Sequence, residues 1–191
     1  METAAVIALL IGVIAYLAWA VRKSEDLVTP GQGIYEMIPG AKTIINGGIT
    51  VTLDDLYESH GRQKGLDPIL LKAIAIVESS ENPNAKNPSD PSYGLMQILC
   101  QPDGQGGCKN RLNVLDWPPQ SSERLYDADY SLHIGSQILR WNIDQYGFNK
   151  GIAVYNSWTA HNDPQNGPFC NQVYVDNVLK NYYNLTGVMS I

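Results

Sequence analysis

The chain has 191 residues, 44% hydrophobic and only 17% charged, enough for one ordinary domain core and one extra element but not for two independent catalytic domains. A net charge of -6 with no run of Lys or Arg argues against nucleic acid as a partner, because phosphate binding draws on clustered cations. Eleven Tyr and four Trp against two Phe favour aromatics with a polar edge, which serve core and interface packing and also stack on sugar faces.

From Thr3 to Val21 the chain carries no charge, a length that crosses a bilayer as a helix, and Tyr16 and Trp19 suit an interfacial belt. Ala18-Trp19-Ala20 also fits a signal-peptide cleavage pattern, but the leading region has Glu2 and no Lys or Arg, which favours an uncleaved anchor. Arg22 and Lys23 follow the span and would hold the rest of the chain on the cytoplasmic side, unless two charges are overridden or the protein sits in a membrane not inserted in the ordinary way, such as that of a virus.

Residues 22–51 read as a linker. They are rich in Gly, Pro and polar groups, and INGGI at 45–49 marks a small hairpin. Residues 52–191 form the folded domain. Thr52 with Asp55 resembles a capping box opening a helix through about Gly61. Asp67-Pro68 supplies an N-cap and N1 pair for a helix to about Glu81, and further helices fall at about 127–146, 149–157 and 172–184. No strong strand pattern appears in this part, so the fold class is mainly α.

In the helix from Pro68, Leu70, Leu71, Ile74 and Val77 form an apolar stripe, and Glu78 extends it four residues after Ile74. A carboxyl at the edge of apolar surface is poorly solvated, which raises its pKa and keeps it protonated near neutral pH, as a general acid for glycoside cleavage must be. The competing reading is a Glu near a helix end that reaches water. Cys100 and Cys108 flank the flexible QPDGQGG loop and can meet as a disulfide, which would imply an oxidising compartment, or stay reduced; Cys170 reads as a buried free thiol. His60, His133 and His161 are too scattered for a metal set, and no metal or organic cofactor is expected.

The run Glu78-Ser79-Ser80-Glu81-Asn82-Pro83-Asn84-Ala85, then Ser92-Tyr93-Gly94-Leu95-Met96-Gln97-Ile98, then Ala153-Val154-Tyr155-Asn156, resembles the soluble lytic transglycosylase family of the lysozyme-like superfamily, related to goose-type lysozyme. LDPILLKAIAIVES, IGSQILRWNIDQYG and YVDNVLKNYY resemble its helices, so the likeness covers about residues 53–184. The resemblance implies a lysozyme-like helical domain behind one transmembrane helix, with Glu78 as catalytic acid/base. It also implies that Asn87, Ser92, Gly94, Leu95, Met96, Gln97, Tyr155, Asn156 and Trp158 line a substrate cleft, Tyr155 helping to orient the acid or the sugar.

Three departures bear on that cleft. Asn87 stands where many members have Ser, Ser157-Trp158 replaces Ala-Gly after Tyr-Asn, and Ser131 takes the place of an Asn. Trp158 with His161 could form a different sugar platform.

The implied reaction cuts the β-1,4 bond between N-acetylmuramic acid and N-acetylglucosamine in peptidoglycan and closes a 1,6-anhydro ring. The implied setting is a single-pass membrane protein whose domain faces peptidoglycan, in a bacterial envelope or a viral membrane, with a larger virion or envelope assembly as a further partner. Two alternatives stand beside it: a goose-type hydrolase in which Asp90, with Asp103 behind it, positions a water, and a weakly active wall-docking module.

Overall fold

In the computed structural model the residues described are 43–46, 49–105, 107–109 and 121–187, with side chains from residue 51 onward. The apolar stretch at 3–21, most of the linker and part of the segment before Ser121 lie outside them. The chain divides into two compact units, the larger comprising Thr50–Ile191 with Met37–Ile44.

Strands β1 (Thr43–Asn46) and β2 (Ile49–Thr52) pair in a two-stranded sheet on either side of the Gly-Gly turn signal. Helix α1 (Leu53–Lys64) starts at a full capping box: Thr52 Oγ1 accepts from the Asp55 amide, and the Asp55 carboxylate accepts from the Thr52 amide at 2.8 Å. The expected end at Gly61 is corrected. The helix runs one turn further and closes at Gly65 in the left-handed region, while Gly61 is buried inside it with the Leu66 carbonyl and Pro68 against it.

Helix α2 (Pro68–Ser79) is opened by Asp67, whose side chain accepts from the Ile69 amide at 2.9 Å, with Pro68 preset for the first turn. It stops two residues short of the expected Glu81 because Ser80 and Glu81 both turn to positive φ, at 54° and 60°. Two-residue strands β3 (Ser92–Tyr93) and β4 (Ile98–Leu99) then pair antiparallel, Ser92 opposite Leu99 and Tyr93 opposite Ile98. They are too short to show a period-two pattern in the sequence.

A 3-10 turn (Glu123–Tyr126) leads to α3 (Ala128–Tyr146), capped by Asp127, then α4 (Phe148–Asn156), a second 3-10 turn (Trp158–Asn162) and α5 (Gln172–Thr186). Helix α3 packs on α4 and α1, α2 on α1 and α5, and α4 on α5. Leu71, Ala73 and Ile74 of α2 meet Leu132, Ile134 and Leu139 of α3, Ile152 and Ala153 of α4 and Val178 of α5 in one core with no solvent exposure. Burying each large aliphatic chain stabilises the fold by roughly 1.5–3 kcal/mol, and here that burial fixes the last turn of α2, which carries Glu78. Among the described residues no helix is long and apolar enough to cross a membrane.

Candidate active site

Glu78 lies in the last turn of α2, where the apolar face gives way to a cleft of about 880 Å³. Burial raises its carboxyl from the ordinary 4.5 to about 7. The hydroxyl of Tyr174, which donates to Oε1 at 2.7 Å, pulls it back down in part, and the negative charge of Asp90 adds a smaller upward push. A carboxyl shifted upward in this way keeps its proton closer to neutral pH than an ordinary glutamate does, so it can give a proton as well as take one. The Tyr174 phenol is itself held well above its ordinary range by burial and by the facing carboxylate, so it stays a donor.

The wall beside Glu78 is the turn joining β3 to β4. Gly94 has φ 79°, and a Cβ there would stand 1.7 Å from the Leu125 carbonyl oxygen, so no other residue fits. Leu95 and Met96 are fully buried, and their side chains belong to the core rather than to the cleft. They act through their carbonyls: Leu95 O accepts from Ser79 Oγ at 2.8 Å and Met96 O from Tyr155 Oη at 2.9 Å. The Met96 amide donates to Ser131 Oγ at 3.0 Å, which gives Ser131 a definite task in a buried position. Gln97, at φ 45°, lines the cleft and spends its amide hydrogens on the carbonyls of Ala85 and Gly94, so it offers its oxygen to a ligand.

Asn87, Ser92, Tyr155, Asn156 and Trp158 also line the cleft with Glu78 and Gln97. Asn87 donates to Asp90 at 2.9 Å and accepts from the Ser89 amide, so both residues share one loop network. Trp158, 46% exposed, lies against Trp141 (ring centroids 6.3 Å) and His161 (4.7 Å), an aromatic cluster at one rim. Asp103 does not reach the cleft lining. Its carboxylate accepts from the Gln105 and Gly107 amides and is held below its ordinary range by those bonds, as a turn former is.

Cys100 and Cys108 form a disulfide, while Cys170, expected as a buried thiol, is exposed. It lies in the turn just before α5, and its amide donates to Asp163. Among the described residues no group of His, Cys, Asp and Glu is arranged to hold a metal ion.

Two residues carry more than sequence reasoning assigned to them. Tyr174, the first aromatic of the closing helix, donates to the Glu78 carboxylate, while Tyr155 donates to the Met96 carbonyl. The position of Tyr174 near the start of YVDNVLKNYY was the available signal, but only the packing of α5 on α2 brings it to Glu78.

The sequence model of the transglycosylase SLT domain matches residues 55–167. The chain belongs to that family. It is 36% identical over 86 residues to membrane-bound lytic murein transglycosylase E of Buchnera aphidicola, a match covering 45% of this chain and 37% of the relative.

Among solved structures, the 70 kDa soluble lytic transglycosylase of Escherichia coli superposes with a TM-score of 0.55 at 26% identity, over 73% of this chain and 26% of that one. A complex of the 70 kDa soluble lytic transglycosylase with bulgecin A gives 0.53 at 26%, over 72% and 25%. An inactive mutant of the lytic transglycosylase Slt from Pseudomonas aeruginosa shares the fold at 20% identity, with a TM-score of 0.54 over 73% and 26%. The matched region is thus about a quarter of each solved enzyme and little more than a third of the curated relative. The mainly helical, lysozyme-like fold expected from the residues is the one these structures share.

Proposed function

We propose that the chain is a lytic transglycosylase that cleaves the β-1,4 bond between N-acetylmuramic acid and N-acetylglucosamine in peptidoglycan. The observation that carries the reading is Glu78, its carboxyl raised to about 7 by burial and held by Tyr174 at the edge of a cleft lined by Gln97, Tyr155 and Asn156. Protonated Glu78 gives its proton to the glycosidic oxygen as that bond breaks, and the substrate's own N-acetyl group stabilises the cationic sugar carbon. The carboxylate so formed takes the proton of the muramoyl 6-hydroxyl as that oxygen closes the 1,6-anhydro ring. Proton and bond counts balance without water, and Glu78 ends as it began.

Hydrolysis with Asp90 positioning a water is the second reading, supported by the place of Asp90 on the cleft lining and by its charge acting on Glu78. Its exposure weighs against it, since a water-positioning carboxylate works best shielded from bulk solvent. Mass spectrometry of digested peptidoglycan separates the two: anhydro ends support the first, reducing ends the second.

The same proposal places residues 3–21 as a membrane anchor and the domain on the side of the envelope that holds peptidoglycan. The uncharged stretch and the words "membrane-bound" in the name of the Buchnera relative support it. Breaching the wall during viral infection is the setting we favour for an enzyme joined to its anchor by a short linker, residues 22–51; protease accessibility of the domain in intact particles or cells tests the placement.

A further inference from the structure

Asn171 stands just before α5, three residues ahead of Tyr174, and reaches back to the end of α4. Its Nδ2 donates twice, to the Ala153 carbonyl at 2.9 Å and to Oδ1 of Asn156 at 3.0 Å. An amide nitrogen has two hydrogens, and both are used. The direction of these bonds is fixed by chemistry rather than by how the amide is drawn. A main-chain carbonyl only accepts, so the Asn171 atom facing it must be the nitrogen; a nitrogen with both hydrogens directed outward can meet only an oxygen on Asn156. The Asn156 oxygen is therefore turned to Asn171, and its NH2 group points away. That NH2 has no acceptor among the described residues, and Asn156 is an exposed residue of the cleft lining. The fold keeps this arrangement although Oδ1 of Asn171 is left buried with no partner among the described residues.

We infer that Asn171 is a positioning residue that locks Asn156 as a hydrogen-bond donor into the cleft, where it meets an amide carbonyl oxygen of the glycan. Gln97 is set the opposite way, with its donors spent and its oxygen left to offer. The two walls thus present a donor and an acceptor, the pair that a secondary amide matches with its C=O and N–H. This inference rests on the glycan-cleaving function proposed above. The carbonyl has two sources in such a glycan, the acetamido group of either sugar and the lactyl amide of the muramoyl arm.

Asn171→Asp removes both donors while keeping size and shape. Asn156 must then rotate to donate to the new carboxylate, which turns its oxygen into the cleft. The full-length protein in detergent is titrated calorimetrically with chitotetraose, with cellotetraose, which lacks acetamido groups, and with a muramoyl-containing tetrasaccharide. Cleavage of the last is followed in parallel across pH.

The expected result is affinity for chitotetraose weakened about tenfold in Asn171→Asp, KM for the muramoyl tetrasaccharide raised alike with kcat and pH profile little changed, and cellotetraose unaffected. In an Asn156→Ala background the second substitution should add nothing. An effect confined to the muramoyl ligand also supports the inference and assigns the carbonyl to the lactyl arm. Three results overturn it: equal binding of every ligand by the wild type and the variant, an effect that persists undiminished without the Asn156 amide, or a loss of kcat with a shifted pH profile, which would mean that Asn171 merely holds Tyr174. Binding is read separately from cleavage, so a wild type that binds chitotetraose but forms no anhydro product would defeat the proposed reaction and leave this test standing.

Discussion

The hydroxyl of Tyr174 stands 2.7 Å from Oε1 of Glu78, although 96 residues separate them in the chain. The bond favours the carboxylate, opposing the larger effect of burial. Tyr174→Phe should therefore raise the pKa of Glu78 further and loosen its orientation. The expected outcome is kcat lowered about tenfold or more with the alkaline limb of the pH–rate profile moved to higher pH. An alkaline limb left where it was would mean that the bond does not act on the catalytic proton.

Glu78 also links stability to pH. In the folded protein it holds its proton to about pH 7, against an ordinary value of 4.5, so folding takes up a proton between those limits. The stabilisation relative to the charged form is fully present below about pH 4.5 and is lost as pH rises through about 7. A gap of about 2.5 units (7 less 4.5) corresponds to roughly 3–4 kcal/mol at most. Glu78→Gln cannot titrate, so at pH 8 it should melt several degrees above the wild type, with the difference closing by pH 4.5. Thermal melts at the two pH values check this, and parallel pH dependence in both proteins would contradict it.

Gly94→Ala places a Cβ 1.7 Å from the Leu125 carbonyl oxygen at φ 79°. The backbone must move, at a cost of roughly 3 kcal/mol or more, and the β3–β4 turn carries Gln97 with it. Denaturant unfolding should show the loss of stability, and activity should fall even at temperatures where the variant is folded.

Ser131→Ala removes the acceptor of the Met96 amide, leaving a buried N–H unpaired beside the carbonyl that Tyr155 holds. A loss of about 1–3 kcal/mol is expected from equilibrium unfolding. Ser131→Asn, which restores an acceptor but adds bulk at a fully buried position, should recover less than all of it.

The helices were legible because their ends are chemically marked. Thr52 with Asp55, Asp67 with Pro68, Asp127 and Gly147 each announce a boundary, and each lies where a helix begins or ends. The end of α1 was misread at Gly61 because a glycine that admits Leu66 and Pro68 looks, in one dimension, like one that stops a helix. The end of α2 is not legible because Ser80 and Glu81 take positive φ, a conformation that neither residue type announces.

At the site, the apolar periodicity of α2 brought Glu78 to notice, and the motif set brought Gln97, Tyr155 and Asn156, which the fold gathers around one cleft. The burial of Leu95 and Met96 was not legible, since a turn that lines a cleft and one that lies beneath it read alike. Nor were Tyr174 and Asn171, whose tasks depend on α5 crossing α2 and α4. Cys170 stands exposed on the turn before α5, where its apolar character gave no warning.

The most direct test of the account is mass spectrometry of purified peptidoglycan digested by the full-length protein, with Glu78→Gln in parallel. The account requires glycan fragments that end uniformly in 1,6-anhydro-muramoyl groups, and their loss in the variant. Fragments with free reducing ends, or anhydro products that survive the Gln substitution, would contradict it.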